Sequence, residues 1–312
     1  MKEKDKIKMK PQPILVTGSH RSGSTWVGQM IAASQNVHYI HEPFNDYYFS
    51  PGINHIKFDK VFKYISGENE KKYLSPIKKT IDLKYDLLSA INSEKVTLSN
   101  ILKKVKIFLE YNKIHSDKKR VLIKDPIAIF SAEWLTQRFD MQTIVLIRHP
   151  AAFASSLKIK NWGFNFNNLL DQKLLIRDHL FDFRNEIEEF ANNQKSIIDQ
   201  ACLLWRMIYY VVTKYQYLHK NWLFMKHEDI SLEPLTNFQI IFDYLNLDLT
   251  PRIKTIIRQH SQADTNTKTE LIRNSKSNIH TWKTRLTDEE INYTKLKVQD
   301  ISQKYYSEEE WL

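Results

Sequence analysis

The chain has 312 residues, of which 42% are hydrophobic and 12% aromatic, so it is long and apolar enough to bury a substantial core. Its scarcity of glycine and proline, 6 and 9 residues, argues against long flexible linkers and against a β-sandwich with Gly-rich turns. The net charge of +10 at pH 7 fits either a lysine-rich solvated surface or a field that attracts an anionic ligand, and no long run of like charges marks a nucleic-acid-binding tail.

Four apolar, β-rich runs are predicted to form buried strands, and a helical pattern follows each of them. The strands are predicted at 13–17, 120–124, 142–147 and 222–226, and the helices near 24–34, 129–138, 151–158 and 234–245. Repeated strand–helix units of this kind are typical of a doubly wound, mostly parallel sheet with helices on its faces. Residues 1–12 are expected to form a frayed N-terminus.

Two long segments, 46–118 and 163–219, interrupt the strand–helix pattern. We predict helical insertions at 46–118 and 163–199, within a single domain that spans 1–312. In the second segment, leucines recur at the spacing expected of long amphipathic helices, at Leu169, Leu170, Leu174 and Leu175. Two interpretations stay open for these insertions: a helical layer that covers the sheet, or the walls of a substrate pocket.

The loop after the first predicted strand has the frame of a phosphate-binding P-loop. Gly18 is followed by four residues, then Gly23 and, two positions on, Thr25. The backbone N–H groups of such a loop and the dipole of the next helix bind phosphate oxygens. Nucleoside triphosphatases have a lysine before the threonine, whereas here Ser24 takes that place and the positive charge is Arg21. The predicted anion-binding residues are Ser19, His20, Arg21, Ser22, Gly23, Ser24 and Thr25.

With this loop, the sequence resembles the sulfotransferases that use 3′-phosphoadenosine 5′-phosphosulfate (PAPS). Its Arg-Ser-Gly-Ser-Thr form is similar to the Golgi carbohydrate and tyrosylprotein branches and to bacterial members. The resemblance implies an α/β, P-loop-like fold with a mostly parallel central sheet, flanking helices and helical insertions. It also implies PAPS as the donor and 3′-phosphoadenosine 5′-phosphate (PAP) as the product.

Further motifs add to the resemblance and imply more nucleotide-binding residues. In the family, an arginine at a strand end and a serine in the next helix hold the 3′-phosphate, and Arg148 and Ser156 match them, with Ser155 as the neighbouring alternative. The run at 226–229 looks like the family's Tyr-Glu-Asp-Leu segment, with His227 in place of the tyrosine. The loop that closes over the nucleotide is represented by Arg273, Asn274 and Ser275.

The resemblance also assigns catalytic roles. Arg21 and Lys124 are the candidates for stabilising developing charge, since Lys124 stands in a Lys-Asp-Pro setting similar to that of the tyrosylprotein branch. Glu42, in a Glu-Pro pair beyond the first helix, is the candidate general base. His41 is the rival base, but on an extended segment the two side chains point to opposite sides, so that only one faces the site. An ion pair between Glu42 and Arg21 is the structural alternative.

The predicted function is transfer of a sulfuryl group from PAPS to a hydroxyl or an amine of a small-molecule or natural-product acceptor, by in-line displacement. The alternatives are a saccharide or lipid acceptor, a P-loop kinase or nucleoside triphosphatase, and a non-catalytic nucleotide-binding protein. No metal site is expected, because His and Cys show no ligand spacing. Aromatic side chains of the insertions either line the acceptor pocket or belong to the core: Tyr47, Tyr48, Phe49, Trp162, Phe164 and Phe166.

The single cysteine, Cys202, lies in an apolar run, so we expect it to be buried and unreactive. One cysteine allows no disulfide within the chain, which fits a reducing compartment. No apolar stretch is long enough to span a bilayer, and the first ten residues have no hydrophobic signal-peptide core. The protein is therefore expected to be soluble and cytoplasmic, without a nucleic-acid or membrane partner.

Overall fold

The structure is a computed structural model. It describes residues 11–45, 58–85, 87, 91, 98–116, 119–262 and 279–312. The predicted closing-loop residues Arg273, Asn274 and Ser275 lie outside the described residues, as do the aromatic residues at positions 47–49.

The described residues form a parallel sheet of five strands. The strands are β1 (Ile14–Gly18), β2 (Val37–His41), β3 (Arg120–Lys124), β4 (Gln142–Ile147) and β5 (Leu223–Lys226). Their spatial order is β2-β3-β1-β4-β5, and every pair is parallel. The four predicted strands are confirmed to within a residue, whereas β2 was not predicted. The predicted α/β fold class with a mostly parallel central sheet is confirmed.

Helices fill the connections between the strands. They are α1 (Ser24–Ala32), α2 (Leu74–Ile81), α3 (Leu98–Ser116), α4 (Ala132–Phe139), α5 (Pro150–Lys160), α6 (Asn167–Leu170), α7 (Lys173–Asp178), α8 (Arg184–Asn192), α9 (Ile197–Leu218), α10 (His227–Leu232), α11 (Pro234–Tyr244), α12 (Pro251–Gln262) and α13 (Asp288–Ser302). Short 3-10 helices lie at Glu70–Lys72, Pro126–Ser131, Phe181–Phe183, Thr281–Thr284 and Glu308–Trp311.

Local sequence explains several helix starts. Pro150 and Pro234 occupy the first positions of α5 and α11, where the missing N–H has no intrahelical partner to lose. The Ser196 hydroxyl accepts the Asp199 N–H at the start of α9, and Thr287 forms a capping box at the start of α13. The helix predicted near 129–138 begins as a 3-10 turn and becomes α-helical only at α4.

Both faces of the sheet are covered, so its central strands are apolar throughout. On one face, Leu15 of β1 packs in a cluster that includes residues of α5, α9 and α13. On the other face, Ile14 and Val16 pack with residues of α1, α11 and α12. Cys202 is buried within the first cluster, as expected. No helix in the described part of the chain has both the length and the apolar composition that crossing a membrane requires.

Helix α9 is a long helix, as predicted for 163–219, but the leucine-rich part of that segment does not form one. The four leucines at 169–175 belong to two short helices, α6 and α7, rather than to one long helix. The break lies at Gln172, whose buried side-chain amide accepts the Tyr64 N–H at 2.8 Å and donates to the Phe62 carbonyl at 3.2 Å. This tertiary contact overrides the helical periodicity. The first insertion is only partly helical, because 58–66 has no helix.

Candidate functional site

The carboxyl ends of four neighbouring strands meet at one edge of the sheet, because all of the strands are parallel. There β1 leads into the loop at 18–25, β2 leads to Glu42, β3 ends at Lys124 and β4 leads to Arg148. In the strand register, Lys124 lies beside both Val16 and His41. The topology therefore collects the predicted loop and three predicted charged residues at this edge, where ligands bind in open α/β sheets.

Two glycines allow the loop its path. A Cβ atom on Gly18 would lie 2.4 Å from the Leu146 carbonyl oxygen on the adjacent strand β4. Gly23 has a φ of 84°, and its Cβ would lie 2.2 Å from Nδ1 of His227. Arg21 adopts the left-handed conformation as well, with a φ of 64°. The alternating conformations around these residues make a concave backbone of the kind that binds anions.

The side chains of the loop divide into two groups. Ser19 and His20 face the protein: the Ser19 hydroxyl is hydrogen-bonded to the Tyr209 hydroxyl, and the His20 ring packs edge-on against Phe153. Burial and the neighbouring Arg21 charge lower the pKa of His20 to about 4. The buried Ser22 hydroxyl, by contrast, has no hydrogen-bond partner among the described residues. Nδ1 of the buried His20 ring also has no such partner, so Ser22 and His20 both retain bonding capacity, whereas the Ser19 hydroxyl is bonded to Tyr209.

Arg21 lies across the site from the loop toward α5. Its Nε donates to the Ser156 hydroxyl at 2.9 Å, and its guanidinium carbon lies 5.9 Å from the centre of the Trp162 ring. Ser156, predicted from the family to act with Arg148, is therefore bonded to Arg21 in this structure. The neighbouring Ser155 is buried, and its hydroxyl donates to the Ala152 carbonyl at 3.2 Å, so it faces into its own helix.

Arg148 presents two buried side-chain nitrogens at this edge of the sheet. Its Nε and Nη1 atoms are buried and have no hydrogen-bond partner among the described residues. The nearest carboxylate oxygen, Oε1 of Glu228, is 3.7 Å from Nε, which is too long for a hydrogen bond. Buried guanidinium N–H groups without an acceptor are costly, so these two atoms are candidates to bind an anionic ligand.

Tyr209 connects the two anion-binding regions, and sequence reasoning missed it. Its fully buried hydroxyl accepts the backbone N–H of Arg148 at 2.9 Å and is 2.8 Å from the Ser19 hydroxyl. The indole N–H of Trp205, one turn earlier on α9, donates to the Arg148 carbonyl at 2.8 Å. The loop and the end of β4 are thus fixed relative to each other by one helix. No local pattern marks these two residues, because both read as core aromatics.

Trp26 and His227 lie on the other side of the loop. Their rings meet edge to face, with centroids 6.3 Å apart, and His227 covers Gly23. The Trp26 indole nitrogen and Nδ1 of His227 are buried without hydrogen-bond partners among the described residues. Both are therefore available to a ligand that extends from the loop. The departure from the family motif at His227 was the available sequence signal.

Glu42 and Lys124 form an ion pair where strands β2 and β3 end. The Lys124 ammonium, fully buried, donates to Oε1 of Glu42, and the Asn45 side-chain amide donates to Oε2 at 2.9 Å. Burial pushes the pKa of Glu42 upward, but the charge and hydrogen bond of Lys124 and the bond from Asn45 outweigh it, so the pKa is lowered. Burial lowers the pKa of Lys124, and the Glu42 charge opposes that shift.

Asp125 holds this region in place. Its fully buried carboxylate accepts the N–H groups of Phe44 at 2.6 Å and of Ile127 at 3.1 Å, and burial raises its pKa to about 7. The backbone N–H of Glu42 donates to the Lys124 carbonyl at 2.8 Å, which continues the β2–β3 pairing by one residue. The segment that carries Glu42 is therefore tied to the end of β3 at several points.

The expectation that His41 and Glu42 point to opposite sides is wrong. Strand β2 ends at His41, and Glu42 adopts a left-handed φ of 41°, so its side chain turns back toward its neighbour. Nε2 of His41 lies 3.7 Å from Oε1 of Glu42, and Nδ1 is 3.0 Å from the Tyr39 hydroxyl. Burial and the Lys124 charge lower the pKa of His41. Both candidate bases therefore lie at the same edge of the site.

The described aromatic residues of the second insertion differ in exposure. Phe166 is buried in the core, and Phe164 packs edge-on against it at 5.1 Å. Trp162 is 47% exposed beside Arg21, so it is the one of these three that can meet a substrate at the site. Within the described residues, no three His, Cys, Asp or Glu side chains group together as metal ligands would.

Several solved sulfotransferase structures are similar to this chain. A sulfotransferase domain of the curacin biosynthetic pathway is 16% identical, with a TM-score of 0.48, 94% of this chain covered and 97% of that one. The corresponding domain of the Synechococcus PCC 7002 olefin synthase is 16% identical, with a TM-score of 0.48 and 96% of each chain covered. A sulfotransferase from Mycobacterium avium is 12% identical, with a TM-score of 0.46, 96% of this chain covered and 78% of that one. Likenesses at this level do not establish a function.

The family assignment comes from the sequence itself. No curated protein matches the chain significantly. The model of a family described as "Sulfotransferase family" matches residues 13–251, which include the phosphate loop, the Glu42–Lys124 pair and Arg148. The match covers well over half of the chain and confirms the predicted family and enzyme class. The chain belongs to the sulfotransferase family, and the protein is a sulfotransferase.

Proposed function

We propose that this sulfotransferase transfers a sulfuryl group from PAPS to a hydroxyl or amine of a small-molecule acceptor, with Glu42 as the general base. The observation that carries the donor assignment is the pair of buried, unpartnered nitrogens on Arg148. PAPS has a 3′-phosphate and a 5′-phosphosulfate. Arg148 fits the first group, and the loop around Ser22 and Gly23 fits the second, since a loop at a helix N-terminus favours anions.

The spacing of these two anion sites is fixed by Tyr209, which is hydrogen-bonded to Ser19 and to the Arg148 backbone. A rigid pair of sites suits a ligand with two phosphates on one nucleoside. Trp26 and His227, with their unpartnered ring nitrogens beside Gly23, extend the same surface. When bound, PAPS supplies the sulfuryl group and a phosphate leaving group. Arg21 and Lys124 are the cations that would stabilise the charge developing there.

Glu42 supports the base assignment through its protonation state. Its lowered pKa keeps the carboxylate ionised at neutral pH, so it can accept the proton of the acceptor hydroxyl. Its side chain is 15% exposed, so it is reachable at the site edge, whereas the side chain of Lys124 is fully buried. Oε1 is bonded to Lys124, and Oε2 is bonded to the Asn45 amide and is the oxygen not shared with the cation.

One aromatic side chain supports the proposed class of acceptor. Trp162 is exposed beside Arg21 and offers a flat apolar surface next to the charged centre. A small molecule with an apolar portion next to its hydroxyl suits that surface better than a uniformly polar one. A cytoplasmic location and a domain spanning 1–312 remain predictions from the sequence.

Calorimetric titration with PAP, without Mg²⁺, tests the donor assignment. We expect binding in the micromolar range, no comparable binding of ATP, and a loss of about 100-fold in affinity for Arg148→Ala, because a buried charged contact to phosphate is removed. Arg138→Ala is the matched control, since Arg138 pairs with Glu70 in an exposed position in the last turn of α4. A preference for Mg-ATP, or equal PAP affinity of the two variants, would overturn the proposal.

A further inference from the structure

The C-terminal segment packs directly against the strand end that carries Arg148. The ring of His149, which is 2% exposed, stacks on Trp282 at 4.9 Å with an interplanar angle of 11°. Tyr306 and Trp311 meet the same ring edge-on at 4.8 and 4.5 Å. Three aromatic side chains from the last part of the chain thus enclose the residue that follows Arg148.

The segment is also held by a charge from β5. The Lys226 ammonium donates to Oε1 of Glu310 at 2.5 Å and to the Tyr305 carbonyl at 3.2 Å. It lies 4.9 Å from the centre of the Tyr306 ring. The last residues are therefore attached at the same sheet edge as the candidate site, and their aromatic rings are fixed in position.

Glu228 links this segment to Arg148. Its Oε1 accepts the backbone N–H of His149 at 3.1 Å, and its Oε2 accepts the Tyr306 hydroxyl at 3.0 Å. Each oxygen thus already accepts one bond, the two bonds fix the orientation of the carboxylate, and in that orientation Nε of Arg148 remains at 3.7 Å. Glu228 is 8% exposed, so water does not compete strongly for these bonds.

An arginine and a carboxylate that are free to rotate form a two-bonded ion pair, in which the guanidinium N–H groups are used up. Here the Tyr306 hydroxyl and the His149 N–H prevent that pair. Glu228 still balances the buried charge at close range, but it leaves Nε and Nη1 of Arg148 without an acceptor. This geometry balances the charge of Arg148 and leaves its Nε and Nη1 N–H groups available to a ligand.

We propose that Tyr306 and Glu228 are positioning residues that keep Arg148 available for the 3′-phosphate of the nucleotide, so that the C-terminal segment sets the preference for 3′-phosphorylated nucleotides. This inference rests on the proposed use of PAPS. In the absence of the Tyr306 hydroxyl, Oε2 of Glu228 is released and the carboxylate turns to pair with Arg148. It then competes with the 3′-phosphate for the same N–H groups.

The test compares PAP with adenosine 5′-phosphosulfate, which lacks the 3′-phosphate. We expect Tyr306→Phe to weaken PAP binding about tenfold and to change the affinity for adenosine 5′-phosphosulfate less than twofold, because only the former ligand competes with Glu228. Tyr305→Phe is the matched control. Its hydroxyl contacts Thr213 at 2.8 Å and the Tyr209 carbonyl at 3.2 Å, away from Glu228, so the ratio of the two affinities should not change.

A double-mutant cycle identifies the route of the effect. Glu228→Gln keeps an acceptor for the His149 N–H but cannot form an ion pair with Arg148, so adding Tyr306→Phe to it should cause less than a twofold further loss of PAP affinity. Equal losses for the two nucleotides, or the same tenfold loss in the Glu228→Gln background, would show a merely structural role and overturn the inference. Failure of the wild type to bind PAP would instead overturn the proposed donor.

Discussion

Replacing Tyr209 with phenylalanine removes one hydroxyl and leaves the ring in place. That hydroxyl is fully buried, accepts the Arg148 backbone N–H at 2.9 Å, and bonds the Ser19 hydroxyl at 2.8 Å. The ring also packs against Trp205 and Tyr305, and phenylalanine would preserve those contacts. The substitution therefore isolates the polar connection between the phosphate loop and the end of β4.

The expected cost follows from what is left unpaired. A buried N–H without an acceptor costs about 1–3 kcal/mol, and loss of the bond to Ser19 adds about 1 kcal/mol, for a total of about 2–4 kcal/mol. With about 2.1 cal/mol/K of unfolding entropy per residue, a chain of 312 residues has about 0.65 kcal/mol/K. The melting temperature should therefore fall by about 3–6 °C. Affinity for PAP should fall about tenfold, because the two anion sites lose their fixed spacing.

Tyr215→Phe is the matched control. Tyr215 lies on the same helix and is equally buried, but its hydroxyl makes a single long bond of 3.4 Å to the Phe130 carbonyl. We expect a shift of about 1 °C or less and unchanged PAP affinity. Calorimetric melting and titration measure both quantities. If the two variants melt together and bind PAP as tightly as the wild type, Tyr209 does not connect the two sites as argued.

Four further substitutions test the site. Glu42→Gln should lower turnover by about 100- to 10,000-fold with PAP affinity retained, because a side-chain amide cannot take the proton from the acceptor hydroxyl. The rate of PAP release measures turnover, and undiminished turnover would exclude Glu42 as the base. Lys124→Met should shift the acid limb of the residual pH–rate profile to higher pH, because Lys124 opposes the upward effect of burial on the pKa of Glu42. If the acid limb does not move, a group other than Glu42 is responsible for it. Burial lowers the pKa of His149 from 6.5 to about 4. Between these two pKa values the unfolded state binds more protons than the folded state, so the free energy of unfolding should fall by about 2 kcal/mol from pH 7 to pH 5 because of this group. His149→Phe should remove that loss in urea unfolding, and an equal loss in both proteins would contradict the reasoning. Gly23→Ala should weaken PAP binding more than tenfold, since its Cβ would lie 2.2 Å from Nδ1 of His227; wild-type affinity in the same titration would mean that the loop adapts.

The sequence predicted best those features whose residue pattern lies within a single strand or loop. The apolar runs of β1, β3 and β4 are buried on both faces, which produces continuous hydrophobic stretches. The glycine spacing predicted the loop. Strand β2 was not predicted because, among the described residues, it pairs only with β3 at the edge of the sheet, and because histidines at 38 and 41 interrupt its apolar pattern.

Residues whose partners are distant in sequence could not be predicted from any local pattern. Tyr209 is 61 positions from the Arg148 backbone that it binds, and Tyr306 is 78 positions from Glu228. Tyr209 lies on α9 and Tyr306 lies in the segment after α13, and both are buried, but burial alone does not reveal which polar group a hydroxyl meets. The turn at Glu42 was missed for a related reason, because a left-handed conformation at a non-glycine residue depends on the contacts that hold it.

Two of the cations of the site, Lys124 and Arg148, are balanced in different ways, and the difference bears on the order of events. Lys124 donates a hydrogen bond to Glu42, whereas Glu228 only approaches Arg148, at 3.7 Å. A nucleotide phosphate can therefore reach Arg148 without breaking an existing bond. Within the proposed mechanism, drawing Lys124 toward the donor would weaken its hydrogen bond and its charge interaction with Glu42, both of which lower the pKa of that carboxyl. Donor binding would thus make Glu42 a stronger base at the moment when the acceptor needs one.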